Sequence, residues 1–225
     1  MENKIAGYVG RMIRNHFGKG PKSVYVTISY PYITIYLEDF LGQMENVLLR
    51  KNDQMTVLHI REKLMAALLP EIKTFVYGIT DLEVYDFYYD WNLDNRTGMF
   101  MGTLAKNEEA ESISQDFHKK ELLEQEVIAV SNEVQKAPER IYSAQVNDLS
   151  FLVIREGILL PIEKEMIFLG FGEDLKVAKR RLEKRNLHEG RRFEKILNKK
   201  ISDIFVDWET ELDKSITTFI IDSKQ

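Results

Sequence analysis

The chain contains two versions of one pattern, and this repeat limits its fold more than any other feature. The segment GPKSVYVTISYPYITIYL from Gly20 is matched by APERIYSAQVNDLSFLVI from Ala137. A shift of 117 places puts Lys19 on Lys136, Pro21 on Pro138 and Tyr25 on Tyr142. The same shift lays DFYYDW on DIFVDW, so that Asp86 meets Asp203, Asp90 meets Asp207 and Trp91 meets Trp208. The chain has 2 tryptophans, and two placed at random show a given offset on the order of once in a hundred trials. Between these blocks the shift drifts, and Glu45 meets Glu163 only after a one-residue insertion in the second copy. The reading is two tandem copies, 1–105 and 119–225, joined by a polar linker over 106–118 that has room for some helix.

Each copy reads α-β-β-α-β-β. In the first, Ile5, Val9, Met12, Ile13 and Phe17 fall on one helical face. Gly18 and Gly20 supply the freedom that ends a helix, and Pro21 forbids its continuation. SVYVTIS and YITIYL around Tyr30-Pro31 form a hairpin, with Asn147-Asp148 at the corresponding turn of the second copy. A helical region follows over about 43–77, in which Asn52-Asp53 is placed to cap a new segment and Pro70 to kink or divide it. LEVYDFYYDW, a turn through NLDNRTG and MFMGTL close the copy as a second hairpin. The expected class is α+β, with antiparallel sheets that bury one face under helices. The two copies are expected to form an intramolecular pseudo-two-fold pair.

Composition excludes several functions. Hydrophobic residues make up 44% and charged residues 30%, enough to fill a core and inconsistent with bulk disorder. With 0 cysteines there is no disulfide scaffold, thiol nucleophile or thiolate zinc site. The 4 histidines have no paired-ligand spacing, and no GxSxG elbow or dinucleotide fingerprint occurs. The expectation is a non-enzyme without a cofactor. A net charge of −5 disfavours a dedicated nucleic-acid binder. No apolar run reaches the length of a membrane span and the N-terminus lacks a secretion-signal core, so the expected address is the cytoplasm.

Three groups of residues are candidate sites. Gly18-Lys19-Gly20-Pro21 departs from the Walker loop and follows a helix rather than preceding one. It reads as a helix stop, with an anion held by Lys19, Lys22 and glycine amides as the alternative. Asp86, Asp90, Asp203 and Asp207 alternate with apolar residues. They read as a solvated strand face or, if the copies converge, as weak candidates for a hard cation. The opposite face, Tyr85, Phe87, Tyr89 and Trp91, reads as core. From Glu173 to Lys200 there are 11 Lys/Arg against 5 acids. This basic helix reads as a solvated face with pairs such as Glu183–Arg180. Alternatively, Lys179, Arg180, Arg181, Lys184 and Arg185 meet anionic lipid or a membrane partner.

A short helix ending in FGKGP, a hairpin, the strand end LEDFL with Glu45 shortly after, and a long helix carrying Arg61 resemble the MpsC-like family over most of residues 5–103. That family was long listed as of unknown function and is described as the soluble component of a bacterial sodium-translocating, membrane-potential-generating system. The resemblance implies a setting beside membrane proteins linked to cation transport and inorganic-carbon supply. It makes Glu45 and Arg61 the family's usual glutamate and helix arginine. Gly42 departs from the family's threonine, and Gln135-Lys136-Ala137-Pro138 has lost both glycines. The expectation is therefore a soluble accessory or regulatory protein with a membrane-protein partner, possible peripheral membrane contact and possible self-association. The alternative is a small-molecule, anion or metal-ion binding domain with a cleft between the copies, near Lys19, Arg61 and the aspartates.

Overall fold

A computed structural model describes residues 1–113, 117–189 and 192–222. The chain divides into two compact units, Met1–Ala110 and Glu111–Gln225. In the first, helix α1 (Glu2–Phe17) leads into strands β1 (Ser23–Ser29) and β2 (Tyr32–Glu38), helices α2 (Gln43–Arg50) and α3 (Gln54–Thr80), and strands β3 (Phe87–Asn92) and β4 (Thr97–Thr103). Helix α4 (Asn107–Ile113) follows, in the stretch expected to be a linker. The second unit repeats the order: α5 (Lys120–Val134), β5 (Arg140–Asn147), β6 (Ser150–Glu156), α6 (Pro161–Phe168), α7 (Gly172–His188), an added short α8 (Phe193–Leu197), β7 (Ile201–Glu209) and β8 (Lys214–Ile221).

Both sheets are antiparallel and share one topology, β1-β2-β4-β3 and β5-β6-β8-β7. Each therefore joins two hairpins through their second strands. The α+β tandem repeat read from the sequence is the fold. Trp91 lies opposite Gly98 on β3/β4, and Trp208 lies opposite Ser215 on β7/β8, the same register in both sheets. Both indoles are buried, at 2% and 3% exposure.

The apolar face of α1 is the predicted one: Ile5, Val9, Met12 and Ile13 are buried against the sheet and α3, with Phe17 partly so. Fully burying each such side chain is worth about 1.5–3 kcal/mol, which holds a glycine-containing helix in place. Gly18 ends it at φ 76°, donating its amide to the Arg14 carbonyl at 3.0 Å. The helical region divides where the sequence placed a cap: α2 ends at Arg50, the chain turns through Lys51-Asn52, and the Asp53 carboxylate caps α3 through the Thr56 amide at 3.3 Å. Pro70 neither ends nor divides α3, which runs on to Thr80. Leu68, Ile72 and Val76 bury its inner face on both sides of the proline, and that packing carries the helix through the lost backbone donor.

Gly98 is fixed by contact. A methyl group there would lie 2.6 Å from Cε3 and 2.7 Å from Cζ3 of Trp91, and 3.4 Å from Leu37 Cδ1. Gly98→Ala is expected to destabilise the first unit by about 1–3 kcal/mol through overpacking, measured as a lower urea midpoint. A change under about 0.5 kcal/mol, the range of a neutral surface substitution, would show that the indole has room to move.

Candidate functional site

The resemblance singles out Glu45 and Arg61, and the fold brings them together. Glu45 sits in the first turn of α2, where Oε2 accepts the Gly42 amide at 2.7 Å, satisfying a donor the helix start would otherwise leave open. The same carboxylate pairs with Arg61 of α3, accepting a hydrogen bond from Nη2 on Oε2 at 3.0 Å, with Oε1 2.7 Å from Nε. Arg61 is 0% exposed. Its guanidinium carbon lies 4.4 Å from the ring centre of Phe17, 4.0 Å from that of Phe40 and 4.2 Å from that of Trp91. Burial lowers the Arg61 pKa from its ordinary value, while the hydrogen bond and charge of Glu45 oppose the shift. Arginine's very high starting value keeps it charged. One cation thus ties α1, the β2–α2 loop, α3 and β3 together.

The second unit builds the same arrangement with different residues. Glu163 Oε2 accepts the Leu160 amide at 2.9 Å, and Oε1 meets Lys179 Nζ at 2.7 Å. Lys179 lies 5.3 Å from the ring centre of Trp208 and also donates to Gln135. The insertion that sets Glu45 on Glu163 also sets Arg61 on Lys179, a cation on a cation. That was the sequence signal for the shared stack, and the basic character of the helix hid it.

The aspartates depart from the expected solvated strand face. Asp90, Asp203 and Asp207 are each 2% exposed, and Asp86 is half-buried. Asp207 accepts from Arg180 at 2.6 Å, from Lys176 at 2.8 Å and from the Trp208 amide at 2.8 Å. Asp90 accepts the Trp91 amide at 2.7 Å in the same way. For Asp207 the cause is that α7 lies over β7, so Lys176 and Arg180 neutralise its carboxylate. The expected Glu183–Arg180 pair is likewise replaced. Glu183 takes a two-bonded contact from Arg155 of β6, Nη2 to Oε2 at 2.7 Å and Nη1 to Oε1 at 3.1 Å, with Ser131 accepting from Nη1 at 2.8 Å. Lys179 and Arg180, proposed for contact with lipid or a partner, therefore point inward at 7% and 4% exposure. Arg181 and Arg185 are exposed and Lys184 is half-buried.

At the glycine loop, Lys19 Nζ pairs with Asp39 at 3.0 Å, and Arg96 approaches the same carboxylate at 3.5 Å. The Lys19 hydrogen bond holds the Asp39 carboxyl below its ordinary range. Gly20 abuts α1, where a methyl group would lie 3.1 Å from the Gly10 carbonyl oxygen. Pro21 leads into the Lys22 amide, which donates to the Glu38 carbonyl at 2.7 Å and so joins the sheet. Gln43, Asn46, Val47, Arg50 and Arg96 line an adjacent open groove of about 540 Å³.

Among the described residues, no group of three or more His, Asp, Glu or Cys side chains is placed to hold a metal ion. Likewise, no helix is long and apolar enough to cross a membrane. A family model described as the Na+-translocating membrane potential-generating system (MpsC) matches residues 1–106. No curated protein and no solved structure gives a significant match.

Proposed function

On the premise that its first unit, through residue 106, belongs to the MpsC family, we propose that this chain is a non-catalytic accessory component of a membrane-potential-generating system. It acts by docking on a membrane-protein partner from the cytoplasmic side. The observation that carries this reading is the burial of the residues the family pattern marks. Arg61 is 0% exposed, is paired with Glu45 and lies against three rings. A group packed in this way builds a scaffold, and a scaffold of this kind works through its surface. Arg181 and Arg185 of α7 are exposed and leave two basic groups on the surface available to a protein partner.

Everted membrane vesicles from the source cells test the reading. The full chain is expected to sediment with them, and zero-length crosslinking is expected to join it to an integral membrane protein. Failure to sediment, with no crosslinked product, overturns it.

A further inference from the structure

The α6–α7 turn exposes large apolar side chains that its backbone does not require. Phe168 is 83% exposed, Leu169 61% and Phe171 51%, and Ile162 on the same helix is 64% exposed. Ile162, Met166 and Leu169 recur at helical spacing and lead into the turn. Together the four most exposed side chains present on the order of 400 Å² of apolar surface, the scale of the largest patch on a typical monomer, which is often functional.

The first unit supplies an internal control. α2 ends in a locked turn in which the Asp53 amide donates to the Leu48 carbonyl and the Asn52 amide to the Leu49 carbonyl, with Asn52 at φ 59°. α6 ends identically: the Phe171 amide donates to Met166 and the Gly170 amide to Ile167, with Gly170 at φ 88°. The same backbone thus carries Arg50-Lys51-Asn52-Asp53 in one unit and Phe168-Leu169-Gly170-Phe171 in the other. In the first unit the Asp53 carboxylate caps the next helix, whereas Phe171 occupies that position in the second with no side-chain cap. The second unit thus places an exposed aromatic ring where the first unit has a polar, capping side chain.

Charge identifies the occupant. Glu165 and Glu173 are exposed on either side of the turn, and Asp174 follows. The nearby Lys164 is engaged by Asp213 at 2.9 Å. Carboxylates at the edge of the patch disfavour an anionic bilayer and favour a partner whose rim is basic. Loops of integral membrane proteins carry an excess of Lys and Arg on the cytoplasmic side. We propose that Phe168, Leu169 and Phe171 seat in an apolar depression edged by lysine and arginine on the loops of an integral membrane protein, with Glu165 and Glu173 pairing with that edge. This inference rests on the accessory reading above and names its docking face.

The test grafts the polar turn of the first unit onto the second: Phe168→Arg, Leu169→Lys, Gly170→Asn and Phe171→Asp in the full chain. The graft is expected to keep the far-ultraviolet circular dichroism of the parent, to melt at or above its temperature because Phe171→Asp supplies a helix cap, and to lose at least tenfold in binding to everted vesicles. The parent is expected not to bind trypsin-shaved vesicles or protein-free liposomes made from the same lipids. Phe168→Ser alone, a change at an exposed side chain, is expected to weaken vesicle binding severalfold and covers the case of a graft that fails to fold. Glu165→Gln with Glu173→Gln is expected to weaken binding and flatten its salt dependence. Equal vesicle binding by folded graft and parent overturns this inference and leaves the accessory reading standing, whereas no binding by the parent overturns both. Parent binding to liposomes as tight as to vesicles makes lipid the occupant. A parent dimer that the graft turns into a monomer, with vesicle binding unchanged, makes a second copy the occupant. Either of these last results overturns the inference.

Discussion

Arg61→Ala is expected to destabilise the first unit by about 3–5 kcal/mol, the cost of breaking a buried ion pair by removing one partner. Glu45 would remain at 9% exposure without its cation, and Phe17, Phe40 and Trp91 would face the space the guanidinium had filled. Glu45→Gln is expected to fall in the same range, because its remaining oxygen can still accept the Gly42 amide while Arg61 loses its counter-charge. Arg61→Lys is expected to be milder, at about 1–2 kcal/mol. It keeps the charge and loses the planar fork and part of the ring contact, and the second unit already pairs Lys179 with Glu163 in this arrangement. The measurement is urea unfolding in a Trp208→Phe background, where Trp91 is the remaining indole and reports on its own unit. A loss below about 1 kcal/mol for Arg61→Ala, comparable to an exposed pair, would remove this stack from the account of the fold.

In the second unit the largest effect is expected at Arg155, which is 1% exposed and held by Glu183 and Ser131. Arg155→Leu leaves the Glu183 carboxylate at 1% exposure without its guanidinium partner and is expected to cost about 3–5 kcal/mol. Adding Glu183→Leu is expected to recover most of that loss, leaving the double variant within about 1–2 kcal/mol of the parent, since two apolar groups no longer need a counter-charge. The readout is the unfolding midpoint followed through Trp208 in a Trp91→Phe background. A double variant no better than the single one would show that Ser131 or packing, rather than the paired charge, is the determining contact.

The repeat was legible because it recurs in residue types with few alternatives. The tryptophans and aspartates of the closing hairpins gave the offset, and the fold puts them in one register. Local signals were equally legible: the apolar spacing of α1, the glycine that ends it and the Asp53 cap of α3 all follow from short-range geometry. Pro70 misled because its local cost is real, yet packing on both sides of it outweighs that cost. The aspartates misled for a related reason. Alternation along a strand tells which residues share a face and is silent on whether that face is covered. The basic residues of α7 read as a solvated stripe, but Lys176 and Arg180 serve Asp207 of β7 and Lys179 serves Glu163 of α6.

The sequence by itself determined that one α-β-β-α-β-β unit occurs twice, where α1 stops and α3 starts, and which tryptophan closes each copy. These are matters of backbone freedom and of apolar period within a few residues. Only the tertiary structure decided which charge meets which: Arg61 with Glu45, Lys179 with Glu163, Arg180 with Asp207 and Arg155 with Glu183. Each pair joins residues on different elements, and the choice among many acids and bases depends on how a helix settles on its neighbouring helix or sheet. The same packing, by covering one side of α6 and α7 and not the other, left Phe168, Leu169 and Phe171 in water.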